Sequence, residues 1–426
     1  MFICVWSLIS VNFHKTKTYR VPSKKTGTMT ISISKTALLS RLQLLAKIIP
    51  AKSSTPILCH FLFKTREGRL FITGSNSEGR ITTSLECIFD EEISICVPTS
   101  LLEGLRNLPE QPIDIIINKD TREIRIKYHG GKFEVVGYDP STYPGKRSIE
   151  VLDSVSLSAE DLFNGISKVI NLAGNDDIRP VLSSVFIETE PETVCFVGAD
   201  GHGMGFLRKG NDRQVGKISV IISRPIASVL KAILPASSDN MEMRVGADWS
   251  DVILNDYEIS FRNVEGRYPN WKAVVPKANK LELLVDTGQL IGAIKRTSVF
   301  SNKASCLIVL RIIRDKLTVF AQDIDFSTSA EETLEVDFNG NEFSIGIKGS
   351  LLLEILSCID DGRTRLSFSE PSRAISGEPI RERGTYLFIN AHDNPVSYER
   401  VQRYNPEIFT GEGGGRSSVC PETCQS

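Results

Sequence analysis

At 426 residues the chain is longer than one hydrophobic core usually fills, so two to four domains are expected. Hydrophobic residues make up 41% and charged residues 24%, which excludes a mostly disordered chain. Fifty Lys and Arg against 52 Asp and Glu leave a net charge of −2, which excludes a chain basic all over but not a local basic surface.

The leading apolar stretch, Met1 to Ser10, is too short to span a bilayer. It also lacks a basic start and a small-residue cleavage site, so no signal peptide is expected. Residues 1–28 show no core-forming period, whereas MTISISKTALL from Met29 opens a folded unit cleanly. Translation is therefore expected to start at Met29, the alternative being a true N-terminal extension.

From Ser34 the segment SKTALLSRLQLLAKII spaces Leu38, Leu42, Leu45 and Ile49 three and four apart, which predicts an amphipathic helix. The Ser34 hydroxyl can accept a hydrogen bond from the free N–H groups of its first turn. Alternating runs such as ILCHFLFKT and ITTSLECIF read as half-buried antiparallel strands. RLFITGSNSEG ends in a polar turn at Asn76, VPTSLLEGLRNLP reads as a strand end and a second helix, and KFEVVGYDPSTYP closes on a Tyr-Pro turn.

These landmarks then recur in the same order. Ser158 opens a helix carrying Leu162, Ile166 and Val169, TVCFVGADGHG turns at Asp200, ISRPIASVLKAILP gives the second helix, and EISFRNVEGRYPN closes on Tyr-Pro. A third round has Asp286 before GQLIGAIKRTSVF, a turn at Asp323 in KLTVFAQDIDF, and IKGSLLLEILSCID. The helix starts lie 124 and 128 residues apart. Such a period marks repeated units, here three α+β domains at 29–150, 151–277 and 278–390. Lys146–Glu150 and Lys277–Lys280 are the expected linkers, and the polar segment 391–426, with its GEGGG, is expected to be disordered.

Catalytic motifs are absent. There is no GxxxxGK[ST] phosphate loop and no HExxH, and the nine cysteines are scattered without CxxC spacing. No disulfide framework, metal or cofactor is expected, and the compartment reads as reducing. Asp200-Gly201-His202 could be an acid–base pair and Asp323-x-Asp325 a metal site. Both lie where the repeat puts a strand-ending turn, so local turn chemistry is the better reading.

The order of the motifs Thr55-Pro56-Ile57-Leu58, Arg179-Pro180-Val181-Leu182, Ala199-Asp200-Gly201-His202 and Gly266-Arg267-Tyr268-Pro269-Asn270-Trp271 on three repeats resembles the bacterial DNA sliding clamp, the β subunit of the replicative polymerase. The resemblance covers roughly residues 29 to 390. It implies three domains per chain, each with antiparallel sheets outside and two helices inside, two chains closing head to tail into a ring around duplex DNA. It further implies a cytoplasmic, non-enzymatic processivity factor with no cofactor and no membrane contact.

The resemblance also assigns residues. Lys52, Arg106 and Arg179 match DNA-facing positions, and Lys35, Arg41, Lys168 and Lys231, with Lys47, Lys295 and Arg296, lie on the recurring helices that would line the hole. Binding would be sequence-independent. Short peptides of the polymerase catalytic subunit, clamp loader and other clients would dock in a cleft formed by Leu182, Ala199, Gly201, His202, Met204, Pro269, Val274, Leu387 and Ile389. The homodimer contact would join Lys132, Phe133 and Val135 to Val299 and Phe300, with Lys132 facing Glu331 or Glu332.

Two departures stand out. Gly203 follows the Asp-Gly-His where the family usually has Arg, and the chain runs on for 34 residues past His392. Two rival readings are an enzyme on this scaffold, which needs a convergent polar constellation, and a scaffold or ligand-binding protein without a DNA role, whose basic residues would be spread evenly.

Overall fold

The computed structural model describes residues 27–389 apart from 177, 191, 211–215, 235–239, 255, 277, 360, 372 and 381–384. The expected leader and tail lie almost wholly outside the described residues. Within them the chain forms α1 (Lys35–Leu45), α2 (Ser100–Arg106), α3 (Ala159–Val169), α4 (Arg224–Ile233), the short α5 (Trp271–Val274), α6 (Thr287–Ser298) and α7 (Gly349–Leu356) among short antiparallel strands. The longer helices pack in pairs within each repeat: α1 on α2, α3 on α4, α6 on α7.

The three recurring helix starts share one cap. Ser34, Ser158 and Asp286 accept from the backbone N–H of Ala37 at 3.3 Å, Asp161 at 3.0 Å and Gln289 at 2.8 Å. α3 buries Leu162, Ile166 and Val169 as its spacing predicts. α1 buries Leu38, Leu42 and Leu45 but stops at Leu45, and the next buried residue is Ile48 rather than Ile49. Pro50 disfavours helical backbone at Ile49, so the chain leaves the helix early and turns Ile48 inward.

The strand-ending turns are built as the sequence predicts. Asn76 Oδ1 accepts from Glu78 and Gly79 N–H at 2.8 and 2.7 Å, and Asp200 Oδ1 from His202 and Gly203 N–H, both at 2.7 Å. Asp323 Oδ1 accepts from Asp325 and Phe326 N–H at 3.0 and 3.4 Å. The buried faces fix the equivalence: Leu70↔Leu85 in the first repeat and Leu317↔Leu334 in the third are corresponding core-facing pairs. Asn76, Asp200 and Asp323 are therefore equivalent, as the sequence comparison puts them, and the third hairpin is longer by two residues.

Four sheets carry the strands, and two of them cross from one repeat to the next. In the eight-stranded sheet, Tyr257–Arg262, the last strand of the second repeat, lies antiparallel to Gly79–Glu86 of the first, with Ile259 opposite Ile81 and Phe261 opposite Gly79. In the nine-stranded sheet, Thr385–Ile389, the last strand of the third repeat, lies antiparallel to Gly203–Gly210 of the second. The same pair of positions meets at both joins. The five-stranded sheet ends on Gly131–Val136 and the four-stranded sheet on Thr328–Glu335, and neither of these edges has a neighbour among the described residues.

The first join is also pinned by charge. Asp256 of the second repeat accepts from Arg41 at 3.0 Å and from Arg69 at 3.3 Å, and the Arg41 guanidinium stacks 4.6 Å from the centre of the Tyr257 ring. Lys146, in the predicted linker, pairs with Asp251 and Glu258.

Glycine is required where α3 meets its sheet. A Cβ at Gly198 would stand 2.2 Å from the Val169 carbonyl oxygen, a backbone atom that cannot yield without moving the helix. Gly198→Ala is expected to lower stability by about 1–3 kcal/mol, as overpacking does; an unchanged thermal midpoint would contradict this packing.

On the edge strand Gly131–Val136, Glu134 accepts from Arg125 at 2.5 Å and Lys132 at 3.0 Å, and these cations hold its carboxyl down to about 2. A depressed carboxylate stabilises the fold above its ordinary range, and that contribution fades as pH falls toward 2. Arg125→Leu is expected to move the Glu134 titration up toward the ordinary carboxylate range, read by side-chain carboxyl NMR.

Candidate functional site

The nucleic-acid candidates divide by exposure. Lys35 and Lys168 are only 8% and 6% exposed, so they offer a phosphate almost no surface, a correction to the reading of every helix lysine as DNA-facing. Both lie at positions where the helix turns toward its own sheet. Arg41 is committed to Asp256 and Tyr257 at the first join, which removes it from the set as well. Lys52, Lys47, Lys295 and Arg296 are exposed and Lys231 is half-buried. Arg106 pairs with Glu103 on its own helix at 3.2 Å, and Arg179 with Asp176 at 3.1 Å. Such exposed local pairs are worth at most about 1 kcal/mol and can exchange for a phosphate. Between these cations the exposed helix positions carry the uncharged Thr36, Ser40, Gln43, Ser228, Gln289 and Ser350 together with the acidic Glu103, Glu160 and Glu354.

A second region forms on the nine-stranded sheet. Strand alternation sends Phe186, Cys195, Val197, Ala199, Met204 and Phe206 to the face away from the main core, where they make a separate apolar cluster with Ile221, Tyr268 and Trp271. Val181, Leu182, Val264 and Val275 pack at its margin. The lid of this cluster is the loop from Val264 to Val275, whose Tyr268 stacks on Phe186 with ring centres 4.6 Å apart and 6° between planes. Trp271 lies against Phe206 at 4.7 Å. Of the residues singled out from sequence, Leu182, Ala199 and Met204 thus come together, Pro269 and Val274 stand exposed on the lid, and Gly201 and His202 form the exposed turn beside it. Leu387 and Ile389 lie on the neighbouring strand, registered opposite Gly205 and Gly203.

Gly201 has φ +95°, a conformation that favours glycine, and a Cβ there would meet the Arg179 guanidinium at 3.0 Å. Arg179 therefore borders the cleft turn as well as the helix side. Sequence reading missed Phe186, Phe206, Tyr268 and Trp271. The signal was present in GRYPNW, since a loop holding Tyr and Trp together needs something to bury them.

The first repeat has a counterpart of this cluster in which Leu62, Cys96 and Tyr143 take part, with Ile57 at its edge. There Arg80 occupies the hairpin position that Met204 has in the second repeat. Its guanidinium donates to the Pro144 carbonyl at 2.5 Å and lies 5.8 Å from the Tyr143 ring centre.

Glu188, Glu190 and Cys195 are the one group of three possible metal ligands among the described residues. The Lys272 ammonium lies 2.7 Å from each of the two carboxylates and supplies the positive charge that holds them together. It keeps Glu190 below the usual carboxylate range.

The subunit-contact candidates lie on the two sheet edges. Phe133 and Val135 are half-buried against the core of their own repeat, and Phe133 packs on Gly104 of α2. Val299 is 75% exposed, and Phe300 is also exposed. Lys132 pairs with Glu134, and Glu332 accepts from Nε and Nη2 of Arg296 at 2.8 and 2.6 Å. Glu331 has no such partner among the described residues.

The DNA polymerase III beta subunit N-terminal domain matches residues 29–147, and its C-terminal domain matches 272–385, together more than half of the chain. The beta sliding clamp of Vibrio cholerae is 24% identical over 355 residues, covering 83% of this chain and 96% of that protein. The beta sliding clamp of Streptomyces coelicolor is 24% identical over 362 residues, covering 82% and 94%. Among solved structures, the Pseudomonas aeruginosa sliding clamp bound to griselimycin superposes with a TM-score of 0.81 at 22% identity, covering 85% of this chain and 99% of that one. The Thermotoga maritima β subunit gives 0.79 at 19% identity, covering 85% and 98%. Two matching domain models, relatives covered almost end to end, and a fold shared over their whole length lead to one conclusion: the chain belongs to the DNA polymerase III β-subunit family, the bacterial sliding clamps.

Proposed function

We propose that the chain acts as a DNA sliding clamp, a processivity factor without catalytic activity of its own that encircles duplex DNA and tethers the replicative polymerase. The observation that carries this reading is the pair of unjoined edges. Inside the chain, the strand after each repeat's first hairpin pairs with the last strand of the next repeat, at both joins. The same rule leaves Thr328–Glu335 needing the Gly131–Val136 strand of a second copy. Two chains related by a two-fold axis satisfy both edges and close the assembly.

Carrying over the first join, where Gly79 faces Phe261 and Ile81 faces Ile259, sets Thr328 opposite the partner's Val135 and Ala330 opposite the partner's Phe133. Ile48, at the end of α1, lies near Gly79 beside Ile226 of α4 at that join. Phe300 holds the corresponding place after α6, and Leu102 corresponds to Ile226 on α2. Lys132 would meet Glu331, which is free to pair, rather than Glu332. A monomer in light scattering at micromolar concentration would overturn this arrangement.

The hole would be lined by helix faces that mix hydroxyl, amide and a few carboxylate groups, with Lys47, Lys52, Arg106, Arg179, Lys231, Lys295 and Arg296 among them. Few phosphate contacts mean weak, sequence-independent binding to linear duplex that falls steeply with salt. Retention on closed circular DNA is expected to survive salt that strips the protein from a short linear duplex; equal salt sensitivity of the two would sink the topological mechanism.

The apolar cluster under the Val264–Val275 lid is the seat proposed for client peptides from the polymerase, the clamp loader and other partners in the cytoplasm. A short extended peptide with one or two apolar anchors fits a site where a few buried contacts carry most of the energy. Met204→Ala combined with Leu182→Ala is expected to weaken a polymerase-derived peptide about thirtyfold, the effect of losing about 2 kcal/mol. Unchanged affinity in a folded dimer would move the docking site elsewhere.

A further inference from the structure

We propose that the chain carries its own occupant for the apolar cleft: the tail segment 405–410, anchored by Ile408 and Phe409, docks in the cleft of the same chain and competes with clients. The inference rests on the cleft reading proposed above and adds to it a ligand supplied in cis.

The fold brings the chain out at the cleft. The last described strand, Thr385–Ile389, sets Phe388 opposite Met204 and Ile389 opposite Gly203, and Met204 in turn lies opposite Ala199. Neighbouring strands are about 5 Å apart, so Met204 and Ala199 stand about 5 and 10 Å from the point at which the chain leaves the sheet. No side chain stands at Gly203 or Gly205, which face Ile389 and Leu387 across the ladder, or at Gly201 in the turn beyond. A chain turning back there meets little obstruction.

Residues 390–426 lie outside the described residues, and their sequence says what they carry. Ile408-Phe409 is the one adjacent pair of large apolar residues among them. Pro406 favours an extended approach, since it fixes its own φ and keeps Asn405 out of helical backbone. Successive side chains of an extended segment point opposite ways, which suits a cleft with an apolar wall on each side. Leu182 and Met204 form the wall on the sheet. On the lid, Val274 is 62% exposed and Pro269 is exposed too, so apolar surface is left for a second anchor to cover.

Tethering makes a weak ligand effective. Ile408 follows Ile389 by 19 residues. A linker of that length spans about 24 Å on average, enough for a cleft about 10 Å away, and gives a local concentration of about 1 mM. A segment with an intrinsic Kd of about 100 μM then fills the cleft about nine-tenths of the time and weakens every client about tenfold. Each client has to displace the tail before it can be held, so the affinity demanded of it rises.

The test titrates a labelled peptide from the polymerase catalytic subunit into the full chain and into the full chain with Ile408→Ser and Phe409→Ser. The double variant is expected to bind the peptide about tenfold more tightly, by the same factor at every protein concentration. An unlabelled peptide of residues 400–412 is expected to compete for that site on the double variant. Peptide binding that is tight and equal in both chains overturns the tail and leaves the cleft standing. A gain that appears only as protein concentration rises overturns docking in the same chain, because the tail then reaches a second copy. A peptide that binds neither chain overturns the cleft reading, and the tail with it.

Discussion

An edge strand is a row of backbone N–H and C=O groups without partners, and this architecture is a series of answers to that liability. Each repeat offers one edge to its predecessor and one to its successor. Two of the contacts are made within the chain, so that sheets of eight and nine strands run through the boundaries between repeats. Other interactions follow the same line: Arg41, Arg69 and Asp256 clip the first join, and Arg262 and Glu78 extend its ladder by one bond. The boundaries are therefore continuous secondary structure rather than hinges.

This use of charge explains the sparseness of the helix faces. A chain with 50 cations and a net charge of −2 has enough basic residues for a strongly positive surface, yet many are spent on ion pairs away from the inner helix faces. Lys272 and Arg208 sit on Glu190, Lys209 on Asp161, and Arg244 on Glu242. What remains on the helices is a thin set of cations among hydroxyls, amides and a few carboxylates. A ring holding DNA by enclosure needs little more, because strong phosphate contacts would slow its travel.

The repeat, the three helix caps and the strand-ending turns were legible in the sequence because each depends on a local hydrogen bond or a local period. The α1 helix was legible up to Leu45; apolar spacing alone carries it on to Ile49, and Pro50 is the local signal that ends it sooner. Lys35, Lys168 and Arg41 show the limit of spacing. Helical spacing says that a residue is on a helix, but whether a lysine points to solvent depends on sheets packed from elsewhere in the chain. The cleft was partly legible: Leu182, Ala199 and Met204 are found in one cluster. For the aromatic lid the sequence signals only that Tyr268 and Trp271 need burial, and their partners Phe186 and Phe206 come to them through folding.

Arg80 has a consequence for stoichiometry. The first repeat has the strand, the turn and the Tyr-Pro loop from which a cleft could be made, but the guanidinium fills the place of Met204 and is tied down by the Pro144 carbonyl. Near-threefold repetition in the chain therefore does not become near-threefold valency. If clients dock at the apolar cluster as proposed, each chain would present one apolar seat and a closed twin of it, and a two-chain ring would have two seats for all its clients. Exchange of one enzyme for another on the DNA then becomes a matter of competition and residence time at two positions, not of vacancies around a circle.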